Sequence, residues 1–338
     1  MSEFARELAD LVNVLAHDID ARADGPAGSP STHTWKQVCE LGLAGIGIAE
    51  ERGGSGGSLP DLMVVIRELA RAGIGTPIVE ASTAAYAIGQ VPTDTFDIIA
   101  VERDLLFASD TLTASFIGVP FAADGRRLAI VTASSILAVP LVQNGVTVEA
   151  GRDIAELPRG SIHLENASFA TASAGPAAPE VIDRLAVARS SALIGSAWGA
   201  YELTRDYVTQ RQQFGAPLIK IPAVSSALAQ MVVRIRFAQS ALDRAVSLSA
   251  NAAIPPVQRS GAVAAARIAS ADTATLVARS AHQLHGAVGF TDEYPLHRYT
   301  KKLWAWRDAD ESQRAHCARL GATVRMAGEI ALWERISA

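Results

Sequence analysis

The spacing of apolar residues divides the chain into three stretches with different patterns. In residues 1–92 the apolar positions recur at helical intervals. In residues 93–175 they form short runs separated by turn residues, which is typical of strands. In residues 176–338 the helical interval returns over much longer segments. The pattern therefore predicts an N-terminal helical domain, a reduced antiparallel β domain and a C-terminal four-helix bundle, a mainly α chain with a small β domain.

Helix ends in the first and last stretches are marked by capping residues and prolines. Ser58 and Asp61 have the spacing of a capping box ahead of an apolar run. Proline fits the first turn of a helix and damages its interior, so prolines divide the last stretch into separate helices. Those predicted helices run from Val181 to about Arg211, from Pro222 to about Ala250, from Pro256 to His285, and from Pro295 towards the C-terminus.

The middle stretch contains five short apolar runs and two strong turn signals. Asp124-Gly125 and Asn144-Gly145 are dipeptides that favour tight hairpin turns, so we expect hairpins at both places. The predicted strands lie at Ile98–Val101, Leu128–Val131, Ile136–Val142, Val146–Val148 and Ser161–Leu164.

Charge and composition exclude several classes of protein. The net charge of −5 argues against nucleic-acid binding, which requires a basic surface. Cys39 and Cys317 are far apart in helical patterns, so a disulfide is not expected. There is neither an apolar signal core near the N-terminus nor an apolar run long enough to span a bilayer. The sequence predicts a soluble, cytoplasmic protein that binds no membrane.

The segment Arg279–Trp306 combines a helix end, a glycine-broken bend and a new helix start. Gly286 and Gly289 allow unusual backbone angles or close approach at the bend, and Pro295 marks the next helix. A bend between two long helices can present backbone N–H groups and side chains to a ligand. By contrast, the glycine-rich run Gly53–Gly57 lacks the Lys-Ser/Thr ending of a nucleotide loop and is interpreted as a surface loop.

Three motifs give the chain its resemblance to a known family. The run QLHGAVGFTDEYP in the bend, Arg211-Gln-Gln-Phe-Gly215 and the weaker segment Trp35–Gly57 occur in the order found in flavin-dependent acyl-CoA dehydrogenases. In particular, the chain resembles the short subunits of actinobacterial heterotetrameric acyl-CoA dehydrogenases that degrade steroids. The resemblance implies α,β-dehydrogenation of a CoA thioester, with FAD as the cofactor.

The resemblance also implies which residues contact the cofactor. Arg211 would bind the dinucleotide's phosphates and Phe214 would pack near its ring system, which suits a guanidinium and an aromatic ring. The second motif would contribute Gln283, Leu284, His285, Gly286 and Ala287, where Ala287 replaces a family glycine. In the family both motifs reach a neighbouring subunit's flavin. His282, His285 and His297 match no zinc spacing, so no metal is expected.

The general base is the weakest part of the resemblance. Removing an α-proton needs a positioned carboxylate with a raised pKa. The family's glutamate in the late helix corresponds to Asp310 here, and its other position falls at Leu185, with Asp183 out of register. Asp310 is therefore the candidate catalytic residue. The alternative is that Trp306–Glu311 is a solvated, charged helix face.

Residues 93–175 lack two runs that the family uses to hold the flavin ring, Thr-Glu-Pro-x-x-Gly-Ser-Asp and Trp-Ile-Thr/Ser. The resemblance then implies an FAD shared with a longer acyl-CoA dehydrogenase subunit in an α2β2 assembly, with an acyl-CoA as substrate and an electron-transfer flavoprotein as acceptor. A different class of function stays open, that of a catalytically silent structural subunit completing the partner's FAD site.

Overall fold

The computed structural model describes residues 3–21, 32–105, 107, 110–172 and 175–337. The chain divides between Ala188 and Arg189 into two compact units. The first unit contains the N-terminal helices, the strands and the start of one long helix. The second contains the remaining helices and the residues predicted to contact a cofactor.

Four helices precede the strands: α1 at Glu3–Ala21, α2 at Thr32–Glu40, α3 at Leu59–Arg71 and α4 at Ile78–Ile88. The predicted capping box begins α3, where the Ser58 backbone N–H donates to Asp61 Oδ2 at 2.9 Å. Gly89, with φ of 79°, ends α4, so this helix stops three residues before the proline at position 92.

Two small sheets form the middle of the chain, and one of them contains a parallel pair. The first has the order β1 (Phe96–Val101), β3 (Gly125–Val131), β4 (Ile136–Pro140), β7 (Ala170–Thr171), and the second has the order β2 (Thr111–Pro120), β6 (Pro158–Ser168), β5 (Val146–Arg152). All pairs are antiparallel except β1 with β3.

The two predicted hairpins are wrong, although both dipeptides lie in turns. Asp124-Gly125 leads from β2 to β3, and Asn144-Gly145 leads from β4 to β5. In each case the two strands belong to different sheets. A tight turn reverses or redirects the chain locally, but pairing is decided by which strand edges can bury their apolar faces together.

The C-terminal part is helical, and two of its helices begin at the prolines that predict them, Pro222 and Pro256. The helices of this part are α5 (Ala178–Gln210), α6 (Pro222–Ser249), α7 (Pro256–His285), α8 (His297–Arg307) and α9 (Gln313–Ser337). The predicted single fourth helix is therefore two helices separated by residues 308–312. The fold class, mainly α with a small and largely antiparallel β part, is confirmed. Among the described helices, none is both long enough and apolar enough to cross a bilayer.

Candidate functional site

A short hairpin after α5 holds Phe214 in a strained and exposed position. Strands β8 (Gln212–Gln213) and β9 (Ala216–Pro217) pair across the turn Phe214-Gly215. Both turn residues have positive φ, 53° at Phe214 and 80° at Gly215, as in a type I′ turn. The left-handed conformation costs an L-residue about 1–2 kcal/mol. The Phe214 side chain recovers none of this by burial, because it is 92% exposed.

Arg211 lies between the end of α5 and this hairpin. Its backbone N–H donates to Tyr207 O at 2.8 Å, and its carbonyl accepts from Leu218 N–H at 2.9 Å. The backbone of Arg211 is therefore fixed. Its exposed guanidinium has no hydrogen-bond acceptor or ion-pair partner among the described residues, so it is available to an anionic ligand.

The bend after α7 requires both of its glycines. Gly286 ends α7 with φ of 61° and ψ of −141°, a region that side chains exclude. A Cβ on Gly289 would lie 2.8 Å from His285 Cβ, so the 3₁₀ turn Gly286–Phe290 packs closely against the helix end. Ala287 lies exposed within that turn.

An aromatic cluster joins the hairpin side of the site to the bend. The Tyr207 ring, one turn before Arg211, stacks on His285 with centroids 4.5 Å apart, and Tyr294 packs against both rings. The Tyr207 hydroxyl also donates to His285 O at 3.4 Å. The structure thus brings the two predicted cofactor motifs side by side. Arg211, Phe214 and Gln283 are exposed, Leu284 is half-buried and His285 is buried.

Two histidines stiffen the bend from the inside. His285 Nδ1 lies 2.8 Å from Ala281 O, and His282 Nε2 lies 3.0 Å from Thr300 Oγ1 while its ring stacks on Phe290. Burial lowers the pKa of both imidazoles. His297 instead lies with Nδ1 2.9 Å from Tyr294 O. Within the described part of the chain no group of His, Cys, Asp or Glu is arranged to hold a metal ion.

Sequence reasoning missed Tyr207 and Tyr294 as parts of this site. Both were visible in principle, because Tyr207 precedes Arg211 by one helical turn and Tyr294 belongs to the quoted Glu-Tyr-Pro run. Neither tyrosine carries a charge or a recognisable binding signature. Their role depends on the packing of α5 against the bend, which the one-dimensional pattern does not contain.

Asp310 lies in the bend between α8 and α9 and is engaged by a buried arginine. Arg189 Nε donates to Asp310 Oδ2 at 2.7 Å and Nη2 to Oδ1 at 3.3 Å. The Arg189 side chain is 2% exposed and that of Asp310 14% exposed. Asp310 has φ of 59°, so the alternative of a regular, solvated helix face is wrong for this residue.

A second buried arginine donates hydrogen bonds to backbone carbonyl groups at the same bend. Arg267 Nη2 lies 3.1, 2.9 and 3.3 Å from the carbonyl oxygens of Trp306, Arg307 and Ala309. Desolvation lowers the pKa of Arg267 to about 10. Asp310 is therefore held by the bidentate guanidinium of Arg189. General-base catalysis instead needs a carboxylate that can reach and accept the substrate's proton.

The family's other base position holds no carboxylate. Leu185 is buried at 2% exposure, and Asp183 beside it is half-buried. Of the two positions that the resemblance indicated, only Asp310 therefore carries an acidic group.

Comparison with protein families agrees with the architecture and the motifs. The model described as "Acyl-CoA dehydrogenase, N-terminal domain" matches residues 2–95, and "Acyl-CoA dehydrogenase, C-terminal domain" matches residues 178–310. The chain belongs to the acyl-CoA dehydrogenase family. The matched ranges leave residues 96–177, which include most of the strands, between them.

Individual relatives match the chain over most of its length. The chain is 28% identical over 298 residues to acyl-CoA dehydrogenase IpdE2 of Mycobacterium tuberculosis, covering 86% of each chain. Its fold matches a variant of the Tcur3481–Tcur3483 steroid ACAD with a TM-score of 0.84 and 23% identity, over 94% of this chain and 96% of that one. It also matches the ChsE4–ChsE5 complex from Mycobacterium tuberculosis, with a TM-score of 0.81 and 18% identity over 95% and 97% of the chains.

Proposed function

We propose that this chain is one subunit of a heteromeric, flavin-dependent acyl-CoA dehydrogenase and that it completes the cofactor site of a longer partner. The observation that carries the proposal is the exposed pair of motifs, with the strained Phe214 on one side and the Gly286 bend on the other. Both are built at a cost in backbone freedom that the isolated chain does not recover.

The residues present fit the phosphate side of FAD. Arg211 offers an unengaged guanidinium to a pyrophosphate, and Phe214 offers an exposed ring to a heterocycle. Gly286 has no atom within 4 Å of the position of a Cβ, so the backbone there is open to close approach. When bound, FAD would supply the acceptor for the hydride that leaves the substrate's β-carbon. The ring-holding runs absent from residues 93–175 would come from the partner.

The general base in this proposal belongs to the partner, because Asp310 is occupied by Arg189. We assign the assembly the α,β-dehydrogenation of a CoA thioester, with a steroid-derived acyl group favoured by the kind of relative the chain resembles. An α2β2 assembly with two flavins and an electron-transfer flavoprotein as acceptor completes the proposal.

A second candidate keeps catalysis within this chain, with Asp310 as the base. It is supported by the register of Asp310 with the family's glutamate and by its positive φ of 59° outside regular structure. Turnover of the purified assembly distinguishes the two candidates. We expect the double variant Arg189→Met/Asp310→Asn, which removes both charges together, to retain turnover, while loss of the partner's own carboxylate abolishes it.

The cofactor proposal is tested by flavin absorbance per chain after gel filtration. We expect little flavin on this chain alone and full occupancy in the assembly copurified through a tag on it. Arg211→Ala should weaken flavin binding roughly 10- to 100-fold, the usual range for a hydrogen bond to a charged group. Arg205→Ala is the matched control, because Arg205 is also exposed near the end of α5 but pairs with Asp206 at 2.8 Å. One flavin per chain on the lone protein would contradict the proposal.

A further inference from the structure

Arg184 is a buried guanidinium in the first unit, and none of the described residues provides it with a carboxylate partner. It lies near the start of α5 and is only 8% exposed. Its one hydrogen bond is long, from Nη2 to Gly47 O at 3.5 Å, and its buried Nε has no acceptor. The guanidinium carbon lies 4.4 Å from the centroid of the Tyr86 ring. A cation–π contact offsets part of the desolvation but leaves the guanidinium's donors unused.

Other buried charges of the first unit are treated differently. Asp97 accepts from both Arg126 and Arg127, with shortest contacts of 3.0 and 2.6 Å to Oδ2. Glu68 pairs with Arg67 at 3.0 Å. An uncompensated buried charge is strongly destabilising, so buried charges in proteins are normally paired. Arg184 departs from this rule.

Two further arginines are deeply buried in the described part of the chain. Arg189 holds both oxygens of Asp310. Arg267 donates from Nη2 to three carbonyl oxygens but leaves its own Nη1 without an acceptor. For Arg184, burial lowers the pKa to about 10, with the Tyr86 hydroxyl as the opposing influence and no carboxylate contributing. The charge remains, because an arginine with this pKa is protonated at neutral pH.

The backbone beside Arg184 leaves room for its guanidinium because residue 47 is a glycine. Gly47 has φ of 78°, and a Cβ there would lie 3.1 Å from Nη2. The loop is fixed, because Gly47 N–H donates to Gly56 O at 2.8 Å and Ile48 pairs with Gly56. Gly47 therefore forms a fixed wall beside the guanidinium, and the exposed to half-buried run Gly53–Gly57 holds it in place through Gly56.

We propose that Arg184 binds the carboxylate of a ligand's acyl group, so that this chain recognises a CoA ester carrying a second, free carboxylate. A planar guanidinium with unused donors matches a carboxylate in a bidentate geometry, and the anion would supply the missing counter-charge. The choice of a CoA ester rests on the proposed function. The site itself requires binding only and no chemistry in this chain.

The test compares two probes of equal chain length, adipyl-CoA and hexanoyl-CoA, by calorimetric titration of the native assembly purified through a tag on this chain. We expect adipyl-CoA to bind roughly 10- to 100-fold more tightly, as a charge-assisted hydrogen bond predicts. Arg184→Met should reduce that preference to within about twofold. Arg67→Met, which removes a paired arginine of the same unit, should leave it unchanged.

Thermal unfolding of the Arg184→Met variant gives an independent readout. Replacing an unpaired buried charge by an apolar side chain of similar length should hold or raise the melting temperature without ligand. Equal affinity for the two esters, a preference that survives Arg184→Met, or a lowered melting temperature would overturn the inference and leave the cofactor proposal standing. Failure of the assembly to bind either ester would also overturn the inference. The cofactor proposal is refuted by a different result, the retention of flavin by the Arg211→Ala variant.

Discussion

The substitution Phe214→Asn distinguishes the backbone strain at the exposed turn from the proposed role of the Phe214 ring in binding flavin. Phe214 has φ of 53° and a ring that is 92% exposed, so the isolated chain bears the strain without the gain of burial. The left-handed region costs an ordinary residue about 1–2 kcal/mol, and asparagine tolerates it. We therefore expect Phe214→Asn to stabilise the lone chain by about 1 kcal/mol. For a unit of this size that corresponds to a melting temperature about 2–4 °C higher.

The same substitution should have the opposite effect on the assembled cofactor site. If the exposed ring packs on the flavin, its loss removes an aromatic contact of about 0.5–1.5 kcal/mol in addition to the buried area. Flavin per assembly after gel filtration should fall while the free chain becomes more stable. A lone chain destabilised by Phe214→Asn, or flavin occupancy that does not change, would refute this reasoning.

Phe121 provides the control of opposite sign. It also has a positive φ, of 56°, but its side chain is 5% exposed. Phe121→Asn relieves similar strain yet loses a buried ring, and truncating a buried phenylalanine costs about 3–5 kcal/mol. We expect clear destabilisation in urea unfolding, with no specific effect on flavin.

Three further predictions concern the bends of the second unit. Asp310→Asn leaves the buried Arg189 without its counter-charge and should lower the free energy of unfolding by about 3 kcal/mol. Adding Arg189→Met to this variant should restore most of the loss, which a double-mutant cycle in urea would measure. Gly286→Ala should destabilise the chain by about 1–3 kcal/mol because of its φ and ψ, whereas Gly261→Ala, inside α7 with no neighbour within 4 Å, should stabilise it in the same thermal assay. Burial lowers the pKa of His285 below its ordinary 6.5, so the unfolded chain binds the proton more readily. This contribution to stability is fully present above about pH 6.5 and is lost as the pH falls from there through the lower pKa of the folded chain. His285→Phe should flatten this slope of melting temperature against pH.

Helix boundaries were predictable from the sequence because single residues decide them. Pro222 and Pro256 begin α6 and α7 as expected, and the Ser58 capping box begins α3. Strand β2 was missed, although it spans Thr111–Pro120, because small and polar residues dilute its alternation. The domain boundaries at residues 92 and 175 stay predictions.

The site was only partly predictable, because some of its contacts join residues that are far apart in the sequence. The motif around Arg211 and the bend at Gly286 were recognised locally. The pairing of Asp310 with Arg189 joins residues 121 positions apart, and no local pattern announces it. The same limit applies to Arg184, because a lone arginine on an apolar helix face is indistinguishable in sequence from one that reaches solvent.

Helix α5 carries Arg184 and Arg189 within a single uninterrupted stretch. Five residues of α-helix advance about 7.5 Å, and removing one of them turns everything beyond by about 100°. A one-residue deletion between these arginines would therefore change the angle between their side chains around the helix by about 100°. The register of α5 thus fixes the direction in which each of the two buried guanidinium groups leaves the helix.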